Sequence, residues 1–208
     1  MKKKCKAIVV ACNTASSVAM TSIKKKIGKD CYLFNVIDPV IEKIKNLKSN
    51  HIGIIGTNAT INSKIYEKKI NSMYNGCNVY SLATPLLAPM IESRFHDASI
   101  KKKIIATYLN NEKLNSIETL ILGCTHYPLI LSEIQEFYNN KIHIISSLNS
   151  IGAHIKEKLK KNNLLNTQKF NKKHEFFVSD ITASFQKNAK SFFTQKIILK
   201  ENNIFNEK

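Results

Sequence analysis

The sequence predicts an α/β fold built from two similar, doubly wound parallel-sheet domains. Short runs of branched apolar residues alternate with helical patterns along almost the whole chain of 208 residues. This alternation is typical of buried parallel strands covered by helices on both faces. The pattern also repeats, because residues 8–11 lead to Cys12, residues 120–123 lead to Cys124, and a helical pattern follows each cysteine. Since little sheet precedes Cys12, we expect the first domain to be incomplete at its N-terminus.

The alternation can be followed along the chain. Short apolar runs predict the strands, and apolar residues at helical spacing predict the helices. The predicted order is a strand at residues 8–11, a helix at 15–27, a strand at 32–37, a helix from 38, a strand at 51–55, a helix carrying residues 61, 65 and 70, a strand at 79–82, a short helix through 92, a helix at 101–109, a strand at 116–123, a helix at 128–137, a strand at 143–145, a helix at 151–159, a strand at 175–178 and a helix at 182–193.

Capping residues set several of these borders. Gly28 should end the first helix, in which Val18 is expected to face inward. Asp38 is predicted to be the N-cap of the next helix, with Pro39 in its first turn, and Pro128 fits the first turn of the helix after Cys124. The polar residues 162–173 should form a loop.

Composition and charge narrow the classes of partner. The net charge of +17 comes from 32 basic residues, of which all but Arg94 are lysine. The bidentate arginine fork that recognises phosphate and guanine is therefore nearly absent, which argues against specific nucleic-acid binding and leaves weak polyanion binding as an alternative. The apolar runs are all well short of the roughly 20 residues that span a bilayer, so no membrane partner is expected. With no signal-peptide pattern at the start, we expect a cytoplasmic protein.

Cysteine usage indicates reduced thiols. The count of five is odd, and no C-x-x-C or H-x-x-H pair is present to supply a zinc site, so neither disulfides nor a metal are expected. Cys5, Cys31 and Cys77 are predicted to be inert, because a free cysteine is usually a small buried residue. Cys12 and Cys124 differ from them by sharing one sequence setting.

The shared setting predicts a chemical role for Cys12 and Cys124. Each thiol should lie where a parallel strand ends and a helix begins, which is where open α/β sheets bind ligands and where the helix dipole favours a thiolate. Two such groups, with an ordinary pKa of ~8.5, can serve as two bases on opposite faces of one carbon centre. His126 is close enough in sequence to tune Cys124 or to relay a proton. Short hydrogen-bonding residues suited to a carboxylate follow the two cysteines: Asn13, Thr14 and Thr125.

Several segments together resemble the glutamate racemases of the aspartate/glutamate racemase superfamily. The segment ACNTA at 11–15 is similar to the first catalytic cysteine motif of that family, and LILGCTHYP at 120–128 to the second. Three further segments carry the resemblance: HIGIIGTNAT at 51–60, LATPLLAPMIES at 82–93 and IHIISS at 142–147.

The resemblance implies a cofactor-independent racemase that interconverts L- and D-glutamate and supplies D-glutamate for peptidoglycan. Cys12 would handle the proton of D-glutamate and Cys124 that of L-glutamate, with His126 as a third catalytic residue. No pyridoxal phosphate is expected. The residues implied to bind substrate are Asn13, Thr14, Thr125, Thr60 and Glu92.

The resemblance also has gaps. Family members carry an Asp-Ser-Gly turn and a Pro-Tyr-Gly segment that are missing here, so we expect an N-terminally truncated form, or one with its start assigned too late. The domains would then be residues 1–36 plus 146–208 and residues 37–145, and a homodimer is compatible with the sequence. Two alternatives stay open: an aspartate or other amino-acid racemase, and a non-catalytic remnant or lysine-rich binding protein.

Overall fold

The fold is seen in a computed structural model of the chain. The described residues are 5–28, 31–47, 49–74, 76–93, 97–148, 150–166, 174–183, 185–186, 189, 193 and 197–202. By its internal packing the chain divides into two compact units, Met1–Leu165 and Asn166–Lys208.

Strands and helices alternate through the first unit. Its elements are β1 (Ala7–Val10), α1 (Asn13–Val18), α2 (Met20–Ile27), β2 (Tyr32–Asn35), α3 (Asp38–Ile44), β3 (His51–Gly56), α4 (Asn58–Asn62), α5 (Ile65–Met73), β4 (Asn78–Ala83), α6 (Leu87–Glu92), α7 (Ala98–Leu109), β5 (Thr119–Gly123), α8 (Leu131–Phe137), β6 (His143–Ser146) and α9 (Ile151–Lys161). Short 3₁₀ turns at Glu112–Leu114 and Tyr127–Ile130 precede β5 and α8.

Two parallel sheets organise this unit. The smaller one pairs β1 with β2, in a register that sets Val10 opposite Asn35. The larger one has the order β4-β3-β5-β6, and every pairing in it is parallel. All strand ends of the larger sheet that lead into a helix or 3₁₀ turn therefore lie at one edge, which is the edge that carries the candidate site.

The larger sheet is buried on both faces, as its almost continuous apolar strands predict. On one face Ile52, Ile54 and Ile121 pack against α3 and α5. On the other face Leu120 and Leu122 pack against α6, α7 and α8. The result is a three-layer arrangement of helices, sheet and helices. This confirms the predicted α/β class with parallel sheets; the grouping of residues into two racemase domains stays a prediction.

Several predicted helix details were wrong. The helix predicted at 15–27 is interrupted at Ala19, and Val18, which was expected to face inward, is 61% exposed. The helix through Ile61 and Ile70 is broken at Lys64, which adopts a left-handed φ of 54°. Such short segments lack a continuous apolar stripe, so tertiary packing decides where they bend.

The capping of α3 also differs from the prediction. Ile37, not Asp38, is the N-cap residue, and it makes no side-chain cap hydrogen bond. Asn35 performs the capping instead, because its Oδ1 accepts from the backbone N–H groups of Ile37 and Asp38, each at 2.9 Å. An asparagine at the end of a strand can satisfy helix donors in the same way as an N-cap side chain.

The second unit contains a parallel pair of strands, β7 (Phe176–Val178) and β8 (Leu199–Glu201). β8 was not predicted from the sequence. Part of the helix predicted at 182–193 lies outside the described residues, and so do residues 167–173 of the predicted loop. No helix in the described ranges is long and apolar enough to cross a membrane.

Neighbouring glycines end the two central strands of the larger sheet. Gly56 of β3 and Gly123 of β5 face each other in register. A Cβ atom added to Gly123 would lie 2.8 Å from the carbonyl oxygen of Ile55, which is too close for real contacts and cannot be relieved by a side-chain rotation. The backbone before Cys124 therefore requires glycine for steric reasons.

We expect Gly123→Ala to lower the free energy of unfolding by about 1–3 kcal/mol, because the added methyl group must displace the backbone of β3. Urea unfolding measures this. Gly152→Ala is the matched control, since Gly152 lies in α9 with no atom within 4 Å of a new Cβ. Equal stability of the two variants would contradict the steric argument.

Candidate functional site

Cys12 follows the end of β1 and forms the N-cap of α1. Its backbone is extended, with φ of −107° and ψ of 128°, and its side chain is exposed. The carbonyl oxygen of Cys12 accepts the backbone N–H of Ser16 at 2.8 Å, and the Ser16 hydroxyl donates to the carbonyl oxygen of Val10 at 2.9 Å. These two bonds fix the strand-to-helix turn, so the thiol sits at the position predicted from the sequence.

Cys124 follows the end of β5 and is only 7% exposed. The turn after it is fastened by Tyr127, which is fully buried and whose hydroxyl donates to the carbonyl oxygen of Thr84 at 3.1 Å. The Thr84 hydroxyl lies 2.7 Å from the same phenol oxygen, and Thr84 follows β4. Tyr127, three residues after Cys124, is thus anchored to the end of β4, which is separated from β5 in the sheet by β3.

His126 connects Cys124 to Glu92. Its Nδ1 lies 3.6 Å from the Cys124 sulfur, and its Nε2 lies 3.1 Å from Oε1 of Glu92, at the end of α6. A carboxylate at one ring nitrogen fixes the orientation of the imidazole. The arrangement can pass a proton between the imidazole and the thiol.

Three threonine hydroxyls lie close together where the turn after the smaller sheet's β1 approaches the turn after the larger sheet's β3. Thr14 lies in the first turn of α1, and its hydroxyl oxygen is 2.8 Å from that of Thr57 and 3.3 Å from that of Thr60. Thr57 is the N-cap of α4, and its Oγ1 accepts from the backbone N–H of Thr60. This threonine cluster (Thr14, Thr57 and Thr60) joins the turn after Cys12 to the turn after β3.

Asn13 provides an unused donor beside Cys12. The residue is 2% exposed, and its Oδ1 accepts a hydrogen bond from the Tyr66 hydroxyl at 2.6 Å. Its Nδ2 is buried and has no hydrogen-bond partner among the described residues. Buried polar atoms are nearly always paired, so an open one at such a turn suits a ligand oxygen.

The electrostatics couple the two thiols. Burial raises the pKa of Cys124, and the hydrogen bonds it receives from the backbone N–H groups of His126 and Tyr127 offset part of this effect. Negative charge on Cys12 and on Glu92 raises the pKa of Cys124 further. A thiolate at Cys12 therefore opposes ionisation of Cys124.

The structure brings most of the predicted site residues together. Cys12, Asn13, Thr14 and Thr60 lie around one strand-to-helix junction, while Cys124, His126 and Glu92 form a connected chain. Thr125 is exposed in the turn after Cys124. The roles of these residues stay predictions. The described part of the chain contains no group of three His, Cys, Asp or Glu side chains placed to hold a metal ion.

Sequence reasoning missed four residues that shape the site: Thr57, Tyr66, Thr84 and Tyr127. Thr57 could have been found, because it directly follows a strand, as an N-cap residue often does. The tyrosines gave no such signal, since a tyrosine in an apolar pattern is equally consistent with core packing. Their partners are 43 and 53 residues away along the chain.

Comparison with known proteins decides the family. The family model Asp/Glu/Hydantoin racemase matches residues 1–155. The chain belongs to this family. The resemblance seen in the two cysteine segments is thereby confirmed.

Members of the family with similar sequences and structures are glutamate racemases. The chain is 40% identical to that of Aquifex aeolicus over 154 residues, which cover 74% of this chain and 58% of the relative's length. The solved structure of glutamate racemase isoform RacE1 from Bacillus anthracis has a TM-score of 0.87 and 32% identity, over 96% of this chain and 74% of that one. The Francisella tularensis enzyme, solved in complex with D-glutamate, has a TM-score of 0.84 and 34% identity, over 95% and 73% of the two chains.

The coupling of the thiols can be measured directly. Removing the Cys12 thiolate by Cys12→Ser should lower the pKa of Cys124, because a like charge is lost, and Glu92→Gln should lower it for the same reason. The rate of Cys124 alkylation by iodoacetamide, followed by mass spectrometry across pH, reports the midpoint.

Cys77→Ser is the control for this titration, since Cys77 lies next to the opposite, amino end of β4 and its sulfur donates to the Ser49 carbonyl oxygen. It should leave the Cys124 midpoint in place. An unchanged midpoint in Cys12→Ser would show that the thiols do not share one electrostatic environment.

Proposed function

We propose that this chain carries out glutamate racemisation with Cys12 and Cys124 as the two bases. The observation that carries the proposal is geometric: each thiol follows the end of a parallel strand, and hydrogen bonds join Asn13 to Tyr66 and Thr14 to Thr57, tying the turn after Cys12 to the helices of the larger sheet that ends at Cys124. A two-base mechanism needs a thiol and a thiolate on opposite faces of the substrate carbon.

The reaction balances with these two groups alone. The thiolate on one face takes the α-proton, the Cα–H bond breaks, and its electron pair moves toward the α-carboxylate. The thiol on the other face then donates its proton to the carbon and becomes the thiolate. The product has the opposite configuration, and the two cysteines have exchanged protonation states. By the family resemblance Cys12 would serve D-glutamate and Cys124 L-glutamate.

Donors beside the thiols suit the substrate carboxylates. The open Nδ2 of Asn13 and the threonine cluster can hold an anionic oxygen, and they gain strength as negative charge grows on the α-carboxylate. Thr125, which is exposed one residue after Cys124, would contribute from the other thiol segment. His126, oriented by Glu92, would assist proton movement at Cys124.

The choice of glutamate rests on the relatives. Similar proteins of the family are glutamate racemases, and one of them was solved with D-glutamate. Aspartate is the second substrate to test, since the site residues named above do not distinguish the side-chain length of glutamate from that of aspartate. Supply of D-glutamate for peptidoglycan, a cytoplasmic location, a homodimer and the domain borders at residues 36/37 and 145/146 belong to the same proposal.

Deuterium exchange tests the proposal. Purified protein is incubated with L- or D-glutamate, and separately with aspartate, in deuterated water. Loss of the α-proton signal and loss of circular dichroism are followed together. Cys12→Ser and Cys124→Ser should each slow racemisation by at least about 10²-fold, the size of a positioned acid–base contribution.

Cys77→Ser should racemise at the wild-type rate, because its thiol takes no part. Undiminished turnover in both Cys12→Ser and Cys124→Ser would overturn the two-thiol scheme. Faster exchange of aspartate would replace glutamate as the substrate, and a wild-type chain that exchanges neither amino acid would favour a non-catalytic binding role.

The Glu92–His126 contact gives a second prediction. Glu92→Gln keeps the shape but removes the carboxylate that contacts Nε2 of His126 and orients its ring, so racemisation should fall about tenfold. Glu136→Gln is the matched control, because Glu136 of α8 forms an exposed ion pair with Lys102 of α7 at 2.7 Å. Equal rates in the two variants would remove Glu92 from the mechanism.

A further inference from the structure

A buried tyrosine reaches both cysteine segments. Tyr66 of α5 is 3% exposed, and its hydroxyl donates to Oδ1 of Asn13, the residue after Cys12, at 2.6 Å. Its ring also lies against the strand end before Cys124, since a Cβ atom on Gly123 would be 3.6 Å from Cε2 of Tyr66. The family resemblance and the sequence pattern assign this tyrosine no role.

The Tyr66 hydroxyl determines which way the Asn13 amide faces. With Oδ1 toward the phenol, the hydroxyl proton has an acceptor and Nδ2 remains open. A flipped amide would donate Nδ2 to the phenol oxygen, and the buried hydroxyl proton would then lose the acceptor that the described residues give it. An unpaired buried donor is costly, so the observed orientation is favoured.

The phenol also stays a donor at all working pH values. Burial raises the pKa of Tyr66, and the negative charges of Cys124 and Asp38 raise it further. Ionisation of the nearby Cys124 thiol therefore favours the protonated form of the Tyr66 phenol further. The hydrogen bond to Asn13 persists while the thiols change protonation state.

We propose that Tyr66 is a positioning residue, which holds the Asn13 amide so that its open N–H groups receive a substrate carboxylate. The inference rests on the proposed function, because it takes Asn13 to bind the substrate. A freely flipping amide would present its oxygen to the carboxylate part of the time. That contact is repulsive, so the loss on removing Tyr66 exceeds the loss of one neutral contact.

A double-mutant cycle tests this role, with D-glutamate affinity measured by calorimetry on the full chain. Tyr66→Phe keeps the ring and removes the hydroxyl, and it should weaken D-glutamate binding about tenfold. In an Asn13→Ala background the same change should weaken binding by less than about twofold, because Tyr66 acts through Asn13. A merely structural role would weaken binding equally in both backgrounds.

Tyr74→Phe is the matched control. Tyr74 is the C-cap residue of the same helix, and its buried hydroxyl has no partner among the described residues, so its removal should leave affinity unchanged. Unchanged affinity in Tyr66→Phe, or equal losses in the two backgrounds, overturns the positioning role while the racemase proposal stands. A wild-type chain that binds no glutamate overturns both.

Discussion

The close approach of β3 and β5 at their carboxyl ends sets the geometry on which the site depends. Gly56 and Gly123 face each other there, and the carbonyl oxygen of Ile55 occupies the space that a side chain on Gly123 would need. The chain therefore leaves the sheet beside Thr57 and Cys124 without a bulky residue in between. The Cys124 segment, with its anchor at Tyr127, begins directly after this close approach.

Around this edge the chain buries polar groups that would otherwise oppose folding. Thr60, Thr84 and Asn13 are all at most 2% exposed, and the two threonine hydroxyls lie within hydrogen-bond distance of Thr14 and Tyr127 on other elements. Burying a polar group is unfavourable unless it is paired, so this network makes one arrangement of the turns much more stable than its competitors. The proposed racemase site, in which two thiols and a substrate carboxylate would take fixed positions, benefits from such rigidity.

The sequence predicted the parts of this site that follow from local pattern. The buried strands before Cys12 and Cys124 are short apolar runs, and the cysteines at their ends occupy the positions expected of an α/β sheet. The contacts of Tyr66 and Thr84 could not be predicted, because they join residues 53 and 43 positions apart and depend on how helices pack. The break at Lys64 is also unreadable from apolar spacing: the Ser63 hydroxyl donates to the Thr60 carbonyl oxygen and accepts from the Ile65 N–H.

The two thiols occupy unequal environments, and the chemistry proposed for them limits what this asymmetry can do. Cys12 is exposed at the start of a helix, whereas Cys124 is buried beside His126. L- and D-glutamate have equal free energies in water, so the equilibrium constant is one and kcat/KM must be equal in both directions. The asymmetry can therefore appear only if kcat and KM differ between the two enantiomers by the same factor, which leaves their ratio equal. Burial of one base shifts which protonation state the resting site favours, and so which enantiomer it accepts first, without favouring either product.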